Sequence, residues 1–286
     1  MESAPIELEK KNVTPPIKKT FGPDGNQVEF SSESAADHLD VVFCIDVTGS
    51  MSSYIERSKK VIANMITNFS ESEDKPLFGV VAYRDHPPQD NTFITKVHQL
   101  SDAEKALAFV KELRAEGGGD SPEAVLQGLM DSIEKIQWRN LNIPDKTYKK
   151  LIVHVADAPP HGKEFHAENL DDTWPNGCPS GITMAQLASS MNENKIYYHF
   201  CRLNTSTDVM QEKFVKEFKY CEIIDLVITQ QNMMSKKAEF DDYKVEFKKN
   251  KAEYKDKEFE EMDYGEQQEC YYEAAVSKKM AYNKKK

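Results

Sequence analysis

Asp46, Thr48 and Ser50 stand two residues apart at the end of a largely apolar run, Leu39 to Ile45, with Gly49 supplying a turn between them. Alternate side chains on a tight loop can aim their oxygens at one point, here one carboxylate and two hydroxyls. Such a point suits a hard cation. Mg²⁺ takes near-octahedral oxygen coordination at about 2.0–2.1 Å, keeps several waters and takes few protein ligands directly, so this small set is enough to begin a site. Two more carboxylates occupy comparable places: Asp157 follows the apolar run Leu151 to Ala156, and Asp120 follows Gly117-Gly118-Gly119 just ahead of a helix-forming stretch. Asp46, Thr48 and Ser50 are therefore candidate metal residues, with Mg²⁺ the expected ion and Mn²⁺ or Ca²⁺ the other occupants such oxygens could accept, and Asp120 and Asp157 are carboxylates on two further loops of the same kind. A strand-end aspartate also permits a second chemistry, attack of Asp46 on a phosphoryl group to give an aspartyl phosphate.

Elements able to carry these loops can be read on either side of them. Leu39 to Asp46 is a short apolar run of the kind that is buried on both faces of a parallel sheet. Ser50 is placed to cap a helix whose Tyr54, Ile55, Ser58 and Ile62 share one face. A second strand, Leu77 to Tyr83, ends in Arg84-Asp85-His86 and is stopped by Pro87-Pro88, and Phe93 to Val97 alternates like a short edge strand. Ala103 to Glu116 places Ala106, Val110 and Leu113 on one helical face and leaves through three glycines. The next helix is expected to begin at once, with Pro122 in its first turn, Asp120 or Ser121 as its cap, and Val125, Leu126, Leu129 and Ile133 as its buried stripe. After the strand ending at Asp157, the stretch Pro159 to Ser180 is long for a plain connection and should frame or cover the site. Ile182 to Met191 and Asp208 to Tyr220 read as helices, and Ile196 to Cys201 and Ile223 to Ile228 as strands.

Alternating strands and helices predict an α/β fold, a doubly wound, mainly parallel central sheet flanked by helices, whose ligand sites lie at the carboxyl ends of the strands. The expected domain spans 37–231. Residues 1–36 carry Pro15, Pro16 and Pro23 without periodicity and read as a mobile arm. Residues 232–286 are rich in Lys and Glu and read as a charged tail, helical or partly disordered, with Phe240, Tyr243, Phe247 and Tyr254 at helical spacing.

The 286 residues carry a net charge of −11, which opposes non-specific binding to nucleic acid or to an anionic membrane surface. Met1 to Lys19 has no signal-type apolar core, and no apolar stretch is long enough to span a bilayer. Five cysteines occur with no Cys-x-x-Cys pair, so reduced thiols and a cytoplasmic location are expected.

Asp46-Val47-Thr48-Gly49-Ser50-Met51 resembles the metal-ion-dependent adhesion site (MIDAS) of von Willebrand factor A (VWA) domains. Together with Tyr83-Arg84-Asp85-His86, the segment from Gly117 to Ala124 and the segment from Ala156 to Gly162, it is similar to the VWA domains of alpha-kinase-type proteins, over about Asp37 to Gln230. The resemblance implies a Rossmann-like fold and a non-catalytic protein–protein interaction module. In it Thr48 and Ser50 would bind Mg²⁺ through their hydroxyls, Asp46 and Asp157 would hold its waters, and an acidic residue of a protein partner would complete the site. Many relatives have threonine in the loop where this chain has Asp120. Three nearby carboxylates can offset a divalent charge, so the ion should be held more tightly and should attract an external carboxylate less, unless Arg84 or Lys163 compensates. The residues after Gln231 show neither the alternating strands nor the Gly-rich phosphate loop of an alpha-kinase catalytic domain, so the recognition module alone is expected.

Two other chemistries compete. Asp-x-Thr-Gly-Ser resembles the phosphorylated segment of aspartyl-phosphate ATPases, which makes a Mg²⁺-dependent phosphohydrolase with Asp46 as nucleophile the alternative. Against it, Val47 replaces the lysine of that segment and Asp157 is followed by Ala158-Pro159 rather than Gly-Asp. His86, His161, His166 and Cys178 have the residue types of a zinc site without its usual spacing. Asp85 and His86 read either as partners of the metal ligands or as a strand-end turn, and His154 and His199, inside apolar strands, as satisfied core residues.

Overall fold

The computed structural model describes residues 19–21, 27–29, 38–70, 76–141 and 147–225. In chain order the strands and helices are β1 (Lys19–Phe21), β2 (Gln27–Glu29), β3 (His38–Asp46), α1 (Ile55–Ser70), β4 (Leu77–Tyr83), β5 (Thr95–Ser101), α2 (Ala103–Glu112), α3 (Val125–Glu134), β6 (Tyr148–Ala156), α4 (Met184–Glu193), β7 (Ile196–Arg202), α5 (Asp208–Glu217) and β8 (Cys221–Asp225). Strands β1 and β2 form a separate antiparallel pair, Lys19 opposite Glu29, inside the segment read from sequence as an arm. The tail expected over 232–286 lies outside the described residues.

The other six strands form one sheet in the order β5-β4-β3-β6-β7-β8, parallel except for the antiparallel edge strand β5. Strand β3 is central and buried along most of its length, which is why its sequence is a nearly unbroken apolar run rather than an alternating one. Val41, Phe43 and Ile45 face the core that includes Ile62 and Ile66 of α1 and Ala106 and Val110 of α2. Val42 and Cys44 face the opposite core, which includes Val125 and Leu129 of α3, Leu187 of α4 and Phe214 of α5. By that alternation Asp46 falls on the α3 side of the sheet.

The chain leaves β3 for β4 on one side and later returns to β6 on the other, so β3 and β6 flank the point where the winding reverses. Ligand crevices of open α/β sheets sit at the carboxyl ends of strands at such a point. Ile45 pairs with Val155, which puts Asp46 and Asp157 at the same end of neighbouring strands.

Several expected boundaries move, each for a local reason. Ser50 does not cap a helix: Gly49–Ser53 forms a 3-10 turn and α1 begins at Ile55. Helix α2 ends at Glu112, because Leu113 turns extended and the chain runs on so that Glu116 N reaches Val47 O at 3.0 Å. Helix α3 begins at Val125 without a side-chain cap, since Glu123 is drawn into a parallel bridge with Pro160, its N–H donating to Pro159 O at 2.9 Å. Phe93 lies outside β5, where the Arg84 guanidinium and the Lys96 ammonium stack on its ring at 4.7 and 4.3 Å. Helix α4 starts at Met184 behind a capping box between Thr183 and Gln186. Helix α5 stops at Glu217, and the last strand begins two residues early, at Cys221.

His154 is a satisfied core residue, as its sequence setting suggests. It is fully buried between two tyrosine hydroxyls, Tyr83 at 2.8 Å and Tyr198 at 2.7 Å. His199 pairs with Glu222 at 3.3 Å. Among the described residues no helix is long and apolar enough to cross a membrane.

Candidate metal centre

Four of the five sequence-predicted residues are joined by one chain of hydrogen bonds at the ends of β3 and β6. Thr48 donates to Asp46 Oδ1 twice, from its backbone N at 2.9 Å and from its hydroxyl at 2.6 Å. The Thr48 and Ser50 hydroxyls lie 3.1 Å apart, and Ser50 donates to Asp157 Oδ1 at 2.8 Å. Thr48 and Asp46 are fully buried, Asp157 nearly so, while Ser50 is exposed, so the group opens outward on the Ser50 side.

The glycine loop is fastened to this turn by its backbone. Gly49 N donates to Gly117 O at 2.8 Å, and Gly117 and Gly118 hold φ of +79° and +78°, which glycine adopts without the strain a side chain would bring. The loop does not bring Asp120 into the hydrogen-bonded chain. Asp120 Oδ2 accepts from Thr173 N at 2.6 Å, and one ligand atom each from Asp120, Asp85 and His161 lie within 4.8 Å of one another. Glu123, three residues on, is a buried carboxylate that feels the charges of Asp46 and Asp85. Sequence reading assigned Glu123 no role. No local pattern marks it, because the bridge to Pro160 that holds it out of the helix comes from a distant part of the chain.

Electrostatics mark the same group. Burial, followed by the charge of Asp157, pushes Asp46 up to about 8. Burial and then the charges of Asp46 and Asp85 push Glu123 up to about 11. Burial also raises Asp157 and Asp85 above the usual carboxylate range. The nearby cation does not relieve them, because Arg84 is turned toward Glu116 at 3.2 Å, Asp90 at 3.9 Å and Thr92 at 3.0 Å. Asp46 Oδ2 and Glu123 Oε2 are buried and accept no hydrogen bond. A bound divalent cation fits this donor set: it would neutralise carboxylates held close together and occupy lone pairs that no protein donor reaches.

The loop from Pro159 to Ser180 frames the site as its length suggests. His161 bridges Asp85 Oδ1 at 2.7 Å and Asp172 Oδ1 at 2.9 Å, and His166 Nε2 meets Asp172 Oδ2 at 3.0 Å. Burial works against the protonated form of His161, but hydrogen bonds to Asp85 and Asp172 outweigh it and raise its pKa. Trp174 stands edge-on to His161, with centroids 4.6 Å apart, and to His86 at 5.8 Å. The four zinc-type side chains do not gather on one point: His161 and His166 share Asp172, while Cys178 Sγ lies 3.6 Å from His86 Nε2.

Residues 40–140 match the von Willebrand factor A domain family. Alpha-protein kinase vwkA of Dictyostelium discoideum is 34% identical over 196 residues, which are 68% of this chain and 30% of that protein. Putative ariadne-like RING finger protein R811 of Acanthamoeba polyphaga mimivirus is 24% identical over 135 residues, 46% of this chain and 12% of its own length. The chain thus spans less than a third of either relative. Among solved structures, the SpRpn10 VWA domain superposes with a TM-score of 0.45 at 15% identity, covering 65% of this chain and 86% of that one. With its DxTGS turn at the carboxyl end of the central strand and its match beginning on that strand, the chain belongs to the von Willebrand factor A domain family, a family of protein-interaction modules.

Proposed function

We propose that the domain is a metal-ion-dependent protein–protein interaction module without catalytic activity, acting in the cytoplasm. The observation that carries this reading is Asp46 Oδ2, buried and without a donor, inside the chain that links Asp46, Thr48, Ser50 and Asp157. Thr48 and Ser50 would hold Mg²⁺ through their hydroxyls, with Asp46, Asp157 and Glu123 on its waters. The bound ion supplies positive charge at the outer face of the turn, where Ser50 is exposed. Asp46, Asp157 and Glu123 offset that charge at short range, and Arg84 is spent on Asp90 and Glu116. An ion held there would therefore set the charge of the rim that a partner reads, and capture of a partner's Asp or Glu would add to this rather than dominate it. Asp46 is fully buried and its Oδ1 already accepts two hydrogen bonds from Thr48, which favours binding over attack on a phosphoryl group. The free thiols of Cys44 and Cys178 suit a reducing compartment.

Titration calorimetry of the full chain should show Mg²⁺ or Mn²⁺ binding that Asp46→Ala abolishes. A pull-down with the same two proteins, each with Mg²⁺ and with chelator, should then lose a partner in the variant and in the chelated sample alike. Metal binding unchanged in Asp46→Ala would sink the reading.

A further inference from the structure

Beside the Asp46 group lies a second set of ligand atoms with a different chemistry. Asp85 closes the β4 end, Asp120 the glycine loop and His161 the β6 loop, and one ligand atom from each lies within 4.8 Å of the others. Asp85 has no exposed surface, yet its Oδ2 accepts no hydrogen bond, and Asp120 Oδ1 is likewise buried and unpartnered. Both residues spend their other oxygen well: Asp85 Oδ1 accepts from His86 N at 2.6 Å and meets His161 Nε2 at 2.7 Å, and Asp120 Oδ2 accepts from Thr173 N. A proton on His161 Nε2 accounts for one oxygen of Asp85 and leaves both orphans as they are. One cation among the three side chains would supply both carboxylates with the partner they lack.

His161 is also held as a metal-binding histidine is held. Its Nδ1 meets Asp172 Oδ1 at 2.9 Å, and Asp172 is fixed in turn by Gly162 N at 2.9 Å, Trp174 N at 2.9 Å and His166 Nε2 at 3.0 Å. A carboxylate on one ring nitrogen sets the tautomer and aims the other nitrogen, here into the cluster.

We propose that Asp85, Asp120 and His161 form a second divalent-metal site, distinct from the Asp46 site, that takes a first-row transition ion such as Zn²⁺. An imidazole among the ligands selects such an ion over Mg²⁺, which the all-oxygen Asp46 group suits better. Three protein ligands leave a fourth position for water or for a partner's side chain. The site shares no residue with the Asp46 chain of hydrogen bonds, so it stands or falls independently of that reading.

The test is calorimetric titration of Zn²⁺ into the full chain in excess Mg²⁺. The wild type should bind one equivalent that Mg²⁺ does not displace. His161→Gln and Asp120→Asn should each weaken it at least about tenfold. Asp46→Asn should leave it unchanged, and so should His86→Gln, which removes the neighbouring His86–Cys178 pair. If His161→Gln fails to fold, Asp120→Asn decides, since Asp120 is only half-buried and an asparagine oxygen can keep the bond from Thr173 N. No Zn²⁺ binding by the wild type, binding untouched in Asp120→Asn, loss in Asp46→Asn or loss in His86→Gln would each overturn the proposal.

Discussion

His154 sits in the middle of β6 with a tyrosine hydroxyl on each ring nitrogen, partners that the neutral ring satisfies with one donor and one acceptor nitrogen. Burial pushes its pKa down to about 3. As pH falls from about 6.5, the unfolded chain takes up a proton that the folded chain refuses, so this residue costs stability progressively until the folded pKa is reached. The slope should approach about 1.4 kcal/mol per pH unit below pH 6. Denaturant melts of His154→Gln against wild type should show lower stability at pH 7 and a flatter decline toward pH 4; parallel declines would show that the group carries no such linkage. At this scale the candidate site was partly legible. Asp46 and Asp157 could be read because they stand at the ends of apolar strands, and Thr48 and Ser50 because they lie in the short turn that follows the first of these. Asp120 and Glu123 lie in a loop with two positive-φ glycines, and there the direction of a side chain depends on backbone torsions that residue type leaves open.

Elements were legible where a single pattern governs them and misplaced where a contact from elsewhere does. Strands β3, β4 and β6 carry apolar runs that burial on both faces demands. Helix α3 was expected three residues early because Pro122 and the carboxylates near it make a plausible first turn; the bridge from Glu123 to Pro160 instead holds that stretch extended. Helix α4 shows the opposite case, since Thr183 and Gln186 form a reciprocal cap that fixes its start within a polar loop. Thr183→Ala should cost about 1 kcal/mol in chemical denaturation, and Thr183→Ser little of that. An equal loss in both variants would show that packing of the threonine methyl, rather than the cap, is what matters.

At the scale of the molecule, the strand order could be anticipated only as far as a mainly parallel, doubly wound sheet; that β3 and β6 are neighbours at its centre follows from pairings between residues more than a hundred positions apart. Because the carboxylates lie at the ends of those two strands, an ion bound there acts on the whole cooperative fold. Mg²⁺ at about 100 times its dissociation constant should add roughly 2.7 kcal/mol of stability, read as a rise in Tm that chelator reverses and that Asp46→Ala lacks. The same topology bears on time rather than on energy. The turn after β3 is tied through backbone groups to the glycine loop by Gly49 to Gly117 and by Glu116 to Val47, and Glu123 N is tied to the β6 loop at Pro159 O. These ties depend on no side chain that would touch an ion, so the loops are fastened independently of its binding. Ion exchange then waits on no loop rearrangement: it should be a single fast step limited by shedding of water from Mg²⁺, and a partner arriving between exchanges would meet the same contour with a different charge.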